Sequence, residues 1–538
     1  MSTLNTKKIT CLIILISLLV TSVASIPAQP IKEQKNNASS TLASDNKINA
    51  YEGDLDPLVD LAVTVNITHI RALDTIDPLS DPDFYVKVYI NGNEFTSPIW
   101  HNTKYVDQYW TVTQDVPDNI ENVDIKIQLW DWNPGRDKLC DISNNYQTTP
   151  TENHDLELVY NLKTGHWRGD DYLNPSSSSP DPSGYGRANG CDDNSIYSKD
   201  RDCEIWFDIY QNDYDDDGIP YWTEVNMFGT NPEIDDTGSD PDHDGVPTEW
   251  EYKWGYYQHY NFINHTWENK WIYDPFIWDD HANLDPDNDG LDNIEEYLTS
   301  QWGSDPFRKD IFLELDQMEK GPNGEGSTVP ELSKNMLKDA FSKHNIVFHI
   351  DDGCMGGGEM IPFDDNTTDE EIQQIYMHYF LHNDTNNWRQ GVFHYGLIIY
   401  HSAKYPGFVF WGGDDHILDS FQISTKTHDA IPWKFPIVNG LIYKTYNREY
   451  QRAVIYAGAM MHETGHTLGI FASNTPGCDD PNSKFPWQIN WWKWRPYKSC
   501  MNYRYVYQLV DYSDGSRGKN DFNDWARIDL TFFQRPLW

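Results

Sequence analysis

The chain has 538 residues and a formal net charge of −44, from 84 acidic and 40 basic residues. At about 150 residues per domain, this length predicts three or four domains with room for sizeable cores. The negative charge argues against a nucleic-acid partner, because phosphates would be repelled, and favours cations. Aromatic residues make up 14% of the chain, which predicts a folded protein rather than a disordered acidic one.

The N-terminal segment has the layout of a secretory signal peptide. Two lysines precede the apolar run 9–20, and the small residues of 23–25 offer a cleavage site. We therefore expect residues 1–25 to be a signal peptide and the mature protein to be secreted or held at the cell surface. An uncleaved anchor is the alternative. The polar residues 26–54 are expected to form a linker or a short pro-segment.

Six cysteines lie beyond the signal peptide: Cys140, Cys191, Cys203, Cys354, Cys478 and Cys500. An even number in an exported protein favours disulfide bonds. Six cysteines allow about 15 pairings, among which sequence cannot choose. The local pairs Cys191 with Cys203 and Cys478 with Cys500 are our predictions.

Residues 55–210 are predicted to form an antiparallel β-sandwich. Apolar and polar residues alternate in four segments, with the period of half-buried strands: 61–67, 84–90, 123–129 and 204–210. Acidic and amide side chains gather in the loops, at Asp77, Asp83, Asp131, Asn133 and Asp137.

The sequence Asp83-Phe84-Tyr85-Val86-Lys87 resembles the D-P-Y-V-K segment of C2 domains, whose apical loops hold calcium between aspartates. The resemblance implies a calcium site at the loop residues just named, with Asn133 where the family usually has an aspartate. It also implies phospholipid or another cell-surface component as a partner. A plain scaffold with acidic loops is the alternative.

Three loops of one pattern occupy residues 211–305. Each has aspartates at positions 1, 3 and 5, glycine at position 6 and glutamate at position 12, which supply the oxygens and the sharp turn that Ca²⁺ needs. The predicted ligands are Asp213, Asp215, Asp217 and Glu224; Asp240, Asp242, Asp244 and Glu251; and Asp285, Asp287, Asp289 and Glu296. The loops resemble thrombospondin type 3 or dockerin-like calcium repeats. We expect an EF-hand-like connector that calcium makes rigid; solvated acidic turns are the alternative.

Residues 306–538 are predicted to form an α+β domain. The sequence pattern indicates strands over 310–316, 346–350, 396–400 and 407–410, a helix starting near 331 and a long helix over 449–468. An acidic cluster over 511–524 is predicted to be a capped turn before a final helix, with a further cation site as the alternative.

The long helix carries an H-E-x-x-H motif. His462 and His466 are one helical turn apart, so both imidazoles leave the same face and can hold one metal ion, with Glu463 beside it. This geometry is typical of zinc hydrolases.

Gly469 stands three residues after this motif, and Met501 and Tyr503 follow a tryptophan-rich loop. The arrangement resembles the metzincin metallopeptidases, with H-E-x-x-H-x-x-G and a methionine turn. The resemblance implies a zinc ion held by both histidines, Glu463 as general base and Gly469 redirecting the chain. It further implies Met501 beneath the metal and Tyr503 near it.

The third ligand expected from that family is missing, because position 472 is an alanine. Asp479 or Asp480 is the predicted replacement, since Cys478 is assigned to a disulfide. The whole chain is thus predicted to be multidomain: a C2-like sandwich, a calcium-loop connector and a metzincin-like domain. We expect a secreted, calcium-stabilised zinc endopeptidase acting on peptide or protein substrates. The alternative is an inactive calcium-dependent adhesion or scaffold protein.

Overall fold

The computed structural model describes residues 60–536, except 79, 118, 146–152, 172–184, 194–199, 403, 413–416 and 432–447. The predicted signal peptide and the segment 26–54 lie outside the described residues. Within the described part of the chain, no helix combines the length and apolar character that crossing a membrane requires.

Two antiparallel sheets form the β-sandwich. Their strands in chain order are β1 (Ala62–Ala72), β2 (Phe84–Ile90), β3 (Asn93–Thr96), β4 (Tyr105–Val106), β5 (Trp110–Asp115), β6 (Asn122–Asp131), β7 (Lys138–Leu139), β8 (Leu156–Asn161), β9 (Trp167–Gly169), β10 (Arg187–Asn189) and β11 (Cys203–Gln211). One sheet has the order β10-β11-β1-β4, with β5 also on β1; the other has β3-β2-β6-β8-β9, with β7 on β6. Alternate residues such as Val86 and Val88 are buried between the sheets, as the period of two predicts.

The calcium loops share their cores with the domains on either side. The elements here are α1 (Tyr221–Thr223), α2 (Thr248–Gly255), the hairpin β12 (Tyr256–Asn261) and β13 (Thr266–Trp271), and α3 (Asn293–Thr299). Trp250, Trp254 and Tyr273 are buried in the core of the sandwich. Leu291 instead packs in a core with Phe312 of the last domain. The predicted boundaries at 210 and 305 therefore do not separate independent cores.

A mixed sheet organises the last domain. Its elements are β14 (Asp310–Met318), α4 (Glu331–Ser342), β15 (Val347–Asp351), β16 (Met360–Ile361), α5 (Asp369–Ile375), β17 (Phe393–Ile399), β18 (Gly407–Gly412), β19 (Ile417–Ser424), α6 (Thr425–His428), α7 (Arg448–Thr467) and α8 (Ile489–Lys493). The order is β15-β14-β17-β19-β18. The first four strands are parallel and β18 is antiparallel to β19. Helices α4 and α7 pack on each other against this sheet.

The prediction of a final helix after the acidic cluster 511–524 is wrong. Residues 511–531 form turns, and the short 3-10 helix Phe532–Gln534 follows them. The acidic side chains there bind protein donors: Asp524 Oδ1 accepts the Tyr497 hydroxyl at 3.0 Å, and Asp511 Oδ1 accepts Trp525 Nε1 at 3.1 Å. These turns are held by side-chain hydrogen bonds, which stop a helix from forming.

Neither predicted disulfide is formed, because all six described cysteines are free. The Cys191 thiol lies 3.3 Å from Asp202 Oδ2, and the Cys478 thiol lies 3.6 Å from Asp479 Oδ2. Cys203 lies beside Cys140: burial, and then the Cys140 thiol, raise the pKa of Cys203 well above its usual value.

The sandwich and the last domain meet through α4. Arg71 Nη1 and the Tyr105 hydroxyl donate to the two carboxylate oxygens of Asp339, at 3.0 and 2.8 Å. Asn189 Nδ2 donates to the Ser342 carbonyl at 2.8 Å. The interface is therefore polar, and Asp339 is its central acceptor.

Replacing Asp339 by alanine leaves Arg71 and Tyr105 without their acceptor. We expect Asp339→Ala to lower the free energy of unfolding by about 1–3 kcal/mol, the cost of unmet part-buried donors. Urea denaturation measures it, with Asp365→Ala, an exposed carboxylate, as the control. Equal stability of the two variants would contradict this account of the interface.

Candidate metal centres

Helix α7 presents the histidine motif to the interior. His462, Glu463 and His466 are all buried, and their ligand atoms lie within 4.8 Å of one another. The residues of this helix from 453 to 467 are buried throughout, so the sheet and the C-terminal loops enclose the motif. The predicted helical placement of both histidines is confirmed.

Backbone carbonyls orient both imidazoles. His462 Nδ1 lies 2.9 Å from the Cys500 carbonyl, and His466 Nδ1 lies 2.7 Å from the Ile470 carbonyl. A carbonyl can only accept, so each Nδ1 carries a proton, and each Nε2 is the nitrogen that would bind a metal ion after losing its own proton. This is the support that metal-binding histidines normally have.

Asp479 faces both Nε2 atoms. Its Oδ1 lies 3.1 Å from His462 Nε2, and its Oδ2 lies 3.2 Å from His466 Nε2. Ligand atoms about 2 Å from a tetrahedral zinc ion are roughly 3.3 Å apart, so the spacing fits. Asp479 Oδ1 is also buried without a hydrogen bond of good geometry. These three side chains fit a zinc ion, with Asp479 in the third position.

The prediction that Asp480 could be the third zinc ligand is wrong. Its Oδ2 accepts Asn490 Nδ2 at 2.6 Å and Trp494 Nε1 at 2.7 Å, and its Oδ1 accepts the Asn482 backbone amide. The carboxylate is thus committed to the tryptophan-rich loop. The left-handed backbone of Asp479, with φ +54°, turns successive side chains in different directions.

The charges of His462, Glu463 and Asp479 strongly affect one another's pKa values. Burial lowers the pKa of His462, but Asp479 and Glu463 outweigh burial and raise it to about 9. Burial raises the pKa of Asp479, but hydrogen bonds to both histidines bring it well below its usual value. Burial raises the pKa of Glu463. The carboxylates therefore stabilise positive charge at this position, which a metal ion can supply.

Met501 is fully buried next to the helix, as predicted. A Cβ added to Gly465 would lie 2.5 Å from Met501 Sδ, so this contact requires glycine between the two histidines. The sequence pattern did not single out Gly465. Gly469 has φ +85°, which turns the chain after the helix.

Tyr503 stands beside the histidines. Its ring stacks on His462, with centroids 5.6 Å apart and an interplanar angle of 24°. Burial, and then Asp479, raise the pKa of Tyr503 well above its usual value. Its hydroxyl therefore stays protonated at neutral pH and can donate a hydrogen bond.

Strand β18 passes directly over Glu463. A Cβ added to Gly407 would lie 2.6 Å from Glu463 Oε1, so a larger residue here would displace the Glu463 carboxylate from its present position. β18 is the terminal strand of the sheet as described, and it pairs with β19 on one side. An edge strand beside the carboxylate is suited to pairing with an extended peptide.

The three predicted calcium loops adopt one backbone conformation. Position 4 is left-handed in each, at Asp216, His243 and Asn288, and the position-6 glycines are also left-handed. The position-6 amide donates to the position-1 aspartate in all three loops, at 2.8, 3.2 and 3.1 Å. The carboxylates at positions 1, 3, 5 and 12 of each loop therefore turn inward.

Many of these inward oxygens have no hydrogen-bond partner among the described residues. Buried oxygens without a partner occur at positions 3 and 12 of every loop: Asp215 and Glu224, Asp242 and Glu251, and Asp287 and Glu296. Burial, and then neighbouring carboxylates, raise the pKa of Asp287 to about 10. In the second loop, the buried His281 Nε2 lies 3.2 Å from Asp244 Oδ2 and 3.7 Å from Glu251 Oε1. Carboxylates at this density are unfavourable without a counter-charge, and a Ca²⁺ ion in each loop would satisfy them.

The third loop is bonded to the last domain. The Asp310 amide, at the start of β14, donates to Asp289 Oδ2 at 2.6 Å. Lys309 Nζ donates to the Asp287 carbonyl at 2.5 Å. Gln534 Nε2 donates to the Gly290 carbonyl at 2.5 Å. An ion in this loop would thus help to fix the first strand and the C-terminal turn.

The structure places a lysine among the residues predicted to bind calcium in the sandwich loops. The Lys138 ammonium occupies this position, in contact with Asp77 Oδ1 and 3.1 Å from Asp131 Oδ2. The other residues predicted for the site bind protein groups: Asp83 accepts the Asn102 amide, Asn133 donates to Asp131, and Asp137 accepts the Tyr85 hydroxyl. The lysine supplies the positive charge that calcium would bring, so we expect no ion here.

No protein-family model matches the chain, and no curated protein does. Solved structures similar to part of it include a C2 domain, at 14% identity over 28% of this chain and 98% of that domain, with a TM-score of 0.17. Human GIVD cytosolic phospholipase A2 matches at 12% identity over 28% of this chain and 16% of that enzyme, with a TM-score of 0.17. A C2 domain of plant Extended Synaptotagmin 1 matches at 11% identity over 28% of this chain and 95% of that domain, with a TM-score of 0.15. The chain thus spans less than a fifth of the phospholipase.

Calcium is expected to stabilise the fold, and Glu296→Gln to remove the contribution of the third loop. An ion at a hundred times its Kd contributes about 2.7 kcal/mol, so the variant loses stabilisation of up to about that size. Urea denaturation with and without saturating calcium measures this. Glu319→Gln, an exposed position near the end of β14, is the control. Equal calcium-dependent stabilisation in Glu296→Gln and the wild type would exclude an ion in this loop.

Proposed function

We propose that the protein is a secreted zinc-dependent endopeptidase that calcium stabilises. The observation that carries the proposal is the convergence of His462 Nε2, His466 Nε2 and the Asp479 carboxylate, 3.1–3.2 Å apart, beside the buried Glu463. Two imidazoles and one carboxylate leave the fourth position of a tetrahedral ion open, as catalytic zinc requires and structural zinc does not.

His462, His466 and Asp479 would hold the zinc ion, which would supply a water molecule of lowered pKa and polarise the substrate carbonyl. Glu463 is the general base: it takes a proton from the attacking water and passes it to the leaving amine. The raised pKa of Glu463, due to burial, suits a group that must both accept and return a proton. The Tyr503 hydroxyl donates a hydrogen bond to the oxyanion that develops on the substrate.

The substrate of this proposal is an extended peptide lying along β18. Main-chain pairing to an edge strand fixes the peptide without selecting its sequence, and Gly407 brings that strand against Glu463. The scissile carbonyl is thereby held between the general base and Tyr503.

An inactive, calcium-dependent adhesion or scaffold protein is the second candidate. It is favoured by the three calcium loops and requires nothing of the histidine cluster. Calcium-dependent phospholipid binding by the sandwich is not part of either proposal, because Lys138 fills the position of the ion. Zinc content and cleavage together separate the two candidates.

Glu463→Gln is expected to keep about one zinc ion per chain and to lose cleavage of an unfolded protein substrate by about 10²–10⁴-fold, the usual contribution of a general base. Glu449→Gln, an exposed position on the same helix, is the matched control and should behave as the wild type. Zinc analysis and cleavage rates measure both. Unchanged cleavage in Glu463→Gln would refute the mechanism, and absence of zinc and cleavage in the wild type would favour the scaffold.

Asp479→Ala is expected to lose zinc, because it removes the third ligand, while Asp480→Asn should retain it. Zinc per chain after dialysis against a mild chelator distinguishes the two variants, with circular dichroism as the test of folding. Full zinc retention in a folded Asp479→Ala protein would show that another group completes the site.

A further inference from the structure

A separate acidic cluster lies at the end of the sandwich where β1 leaves its sheet and β11 enters. Asp74 follows β1, and Asp200 and Asp202 precede β11. The pairing of Ala72 with Cys203 brings these segments together. The ligand oxygens of the three aspartates lie within 4.8 Å of one another.

Backbone hydrogen bonds build this cluster. The amides of Leu73 and Asp74 both donate to the Asp202 carbonyl, at 3.0 Å each. The Asp141 amide donates to the Arg201 carbonyl at 3.1 Å. The three carboxylates are therefore held together by the main chain despite their mutual repulsion.

The Asp200 carboxylate lacks the partners that a buried charge needs, and Asp74 and Asp202 are only partly satisfied. Asp200 is only 4% exposed, and neither of its carboxylate oxygens has a hydrogen-bond partner among the described residues. Asp74 Oδ2 is likewise buried without a partner. Asp202 Oδ2 accepts the thiol of Cys191, a weak donor, at 3.3 Å. Burying such groups unpaired costs several kcal/mol each.

Neighbouring cations neutralise the cluster only in part: Lys343 lowers the pKa of Asp74, but burial outweighs it and the pKa is raised. In the described part of the chain, no lysine or arginine nitrogen forms an ion pair with these three carboxylates; Arg201 Nε instead donates to the Asp200 carbonyl, at 3.4 Å. Burial, and then the Asp200 and Asp74 carboxylates, raise the pKa of Asp202 to about 8. The carboxylates of Asp77 and Asp131, in the other sandwich loops, are different because Lys138 supplies a positive charge there.

We propose that Asp74, Asp200 and Asp202 bind one calcium ion, in addition to those of the three loops. The donors are carboxylate oxygens on loops, which suit a large hard cation with irregular coordination better than zinc or magnesium. The ion fastens the segment after β1 to the segment before β11. Asp74 is three residues from Arg71, which donates a hydrogen bond to Asp339 of α4. The ion therefore supports the interface between the sandwich and the last domain.

Native mass spectrometry of the full chain in calcium tests the proposal. Asp200→Asn is expected to bind one calcium ion fewer than the wild type and to show a smaller rise in unfolding temperature on adding calcium. Asp81→Asn, an exposed carboxylate of the same loop region, is the matched control and should bind the wild-type number. Because Asp200 is buried, Asp74→Asn, at a less buried position, provides a second variant with the same expected loss.

An unchanged calcium count in both folded variants would overturn the proposal and identify the cluster as protonated carboxylic acids. Displacement of this ion by a tenfold excess of magnesium would overturn its assignment to calcium. Zinc content and peptide cleavage in Asp200→Asn should equal those of the wild type. Failure of the peptidase proposal would therefore leave this result unaffected.

Discussion

The constraint on which this structure depends is the burial of carboxylates that have too few protein donors. Glu224, Glu251 and Glu296 are each almost fully buried at the ends of their loops, and each has a carboxylate oxygen with no donor. A fold with a net charge of −44 cannot offset such groups with its own cations. We therefore expect divalent ions to be part of the folded state, where they would set the positions of the surrounding chain.

Where the chain supplies its own cation, the same argument gives the opposite result. Lys138 neutralises Asp77 and Asp131 in the sandwich loops, and Arg389 lies 2.5 Å from Glu314 and 2.6 Å from Asp351 in the last domain. Asp77 and Asp131 are neutralised in this way, whereas Glu314 Oε1 is still buried without a hydrogen-bond partner, and burial raises the pKa of Glu314 to about 9. Residue type and spacing alone do not distinguish the two situations, because the neutralising group comes from elsewhere in the fold.

Local patterns predicted local structure well. The period-two segments became β1, β2, β6 and β11, and the position-6 glycines adopted the left-handed conformation that the loop pattern requires. Contacts between residues that are distant in the sequence could not be predicted. Asp479 could not be told from Asp480 because a single left-handed residue decides which side chain faces the histidines. Gly407 and Gly465 matter through contacts with Glu463 and Met501, which no spacing rule reveals.

The third calcium loop and the histidine cluster are joined by continuous packing. Gln534 binds the carbonyl of Gly290 in that loop, and Phe532, two residues earlier, packs against Gly469 and Phe471. Phe471 in turn stacks on His466, with centroids 5.3 Å apart. Loss of the loop ion would release the C-terminal turn that supports this imidazole. Calcium in this loop would thus contribute to the precision of the proposed zinc site as well as to the stability of the fold, since ligand geometry depends on the residues behind each ligand.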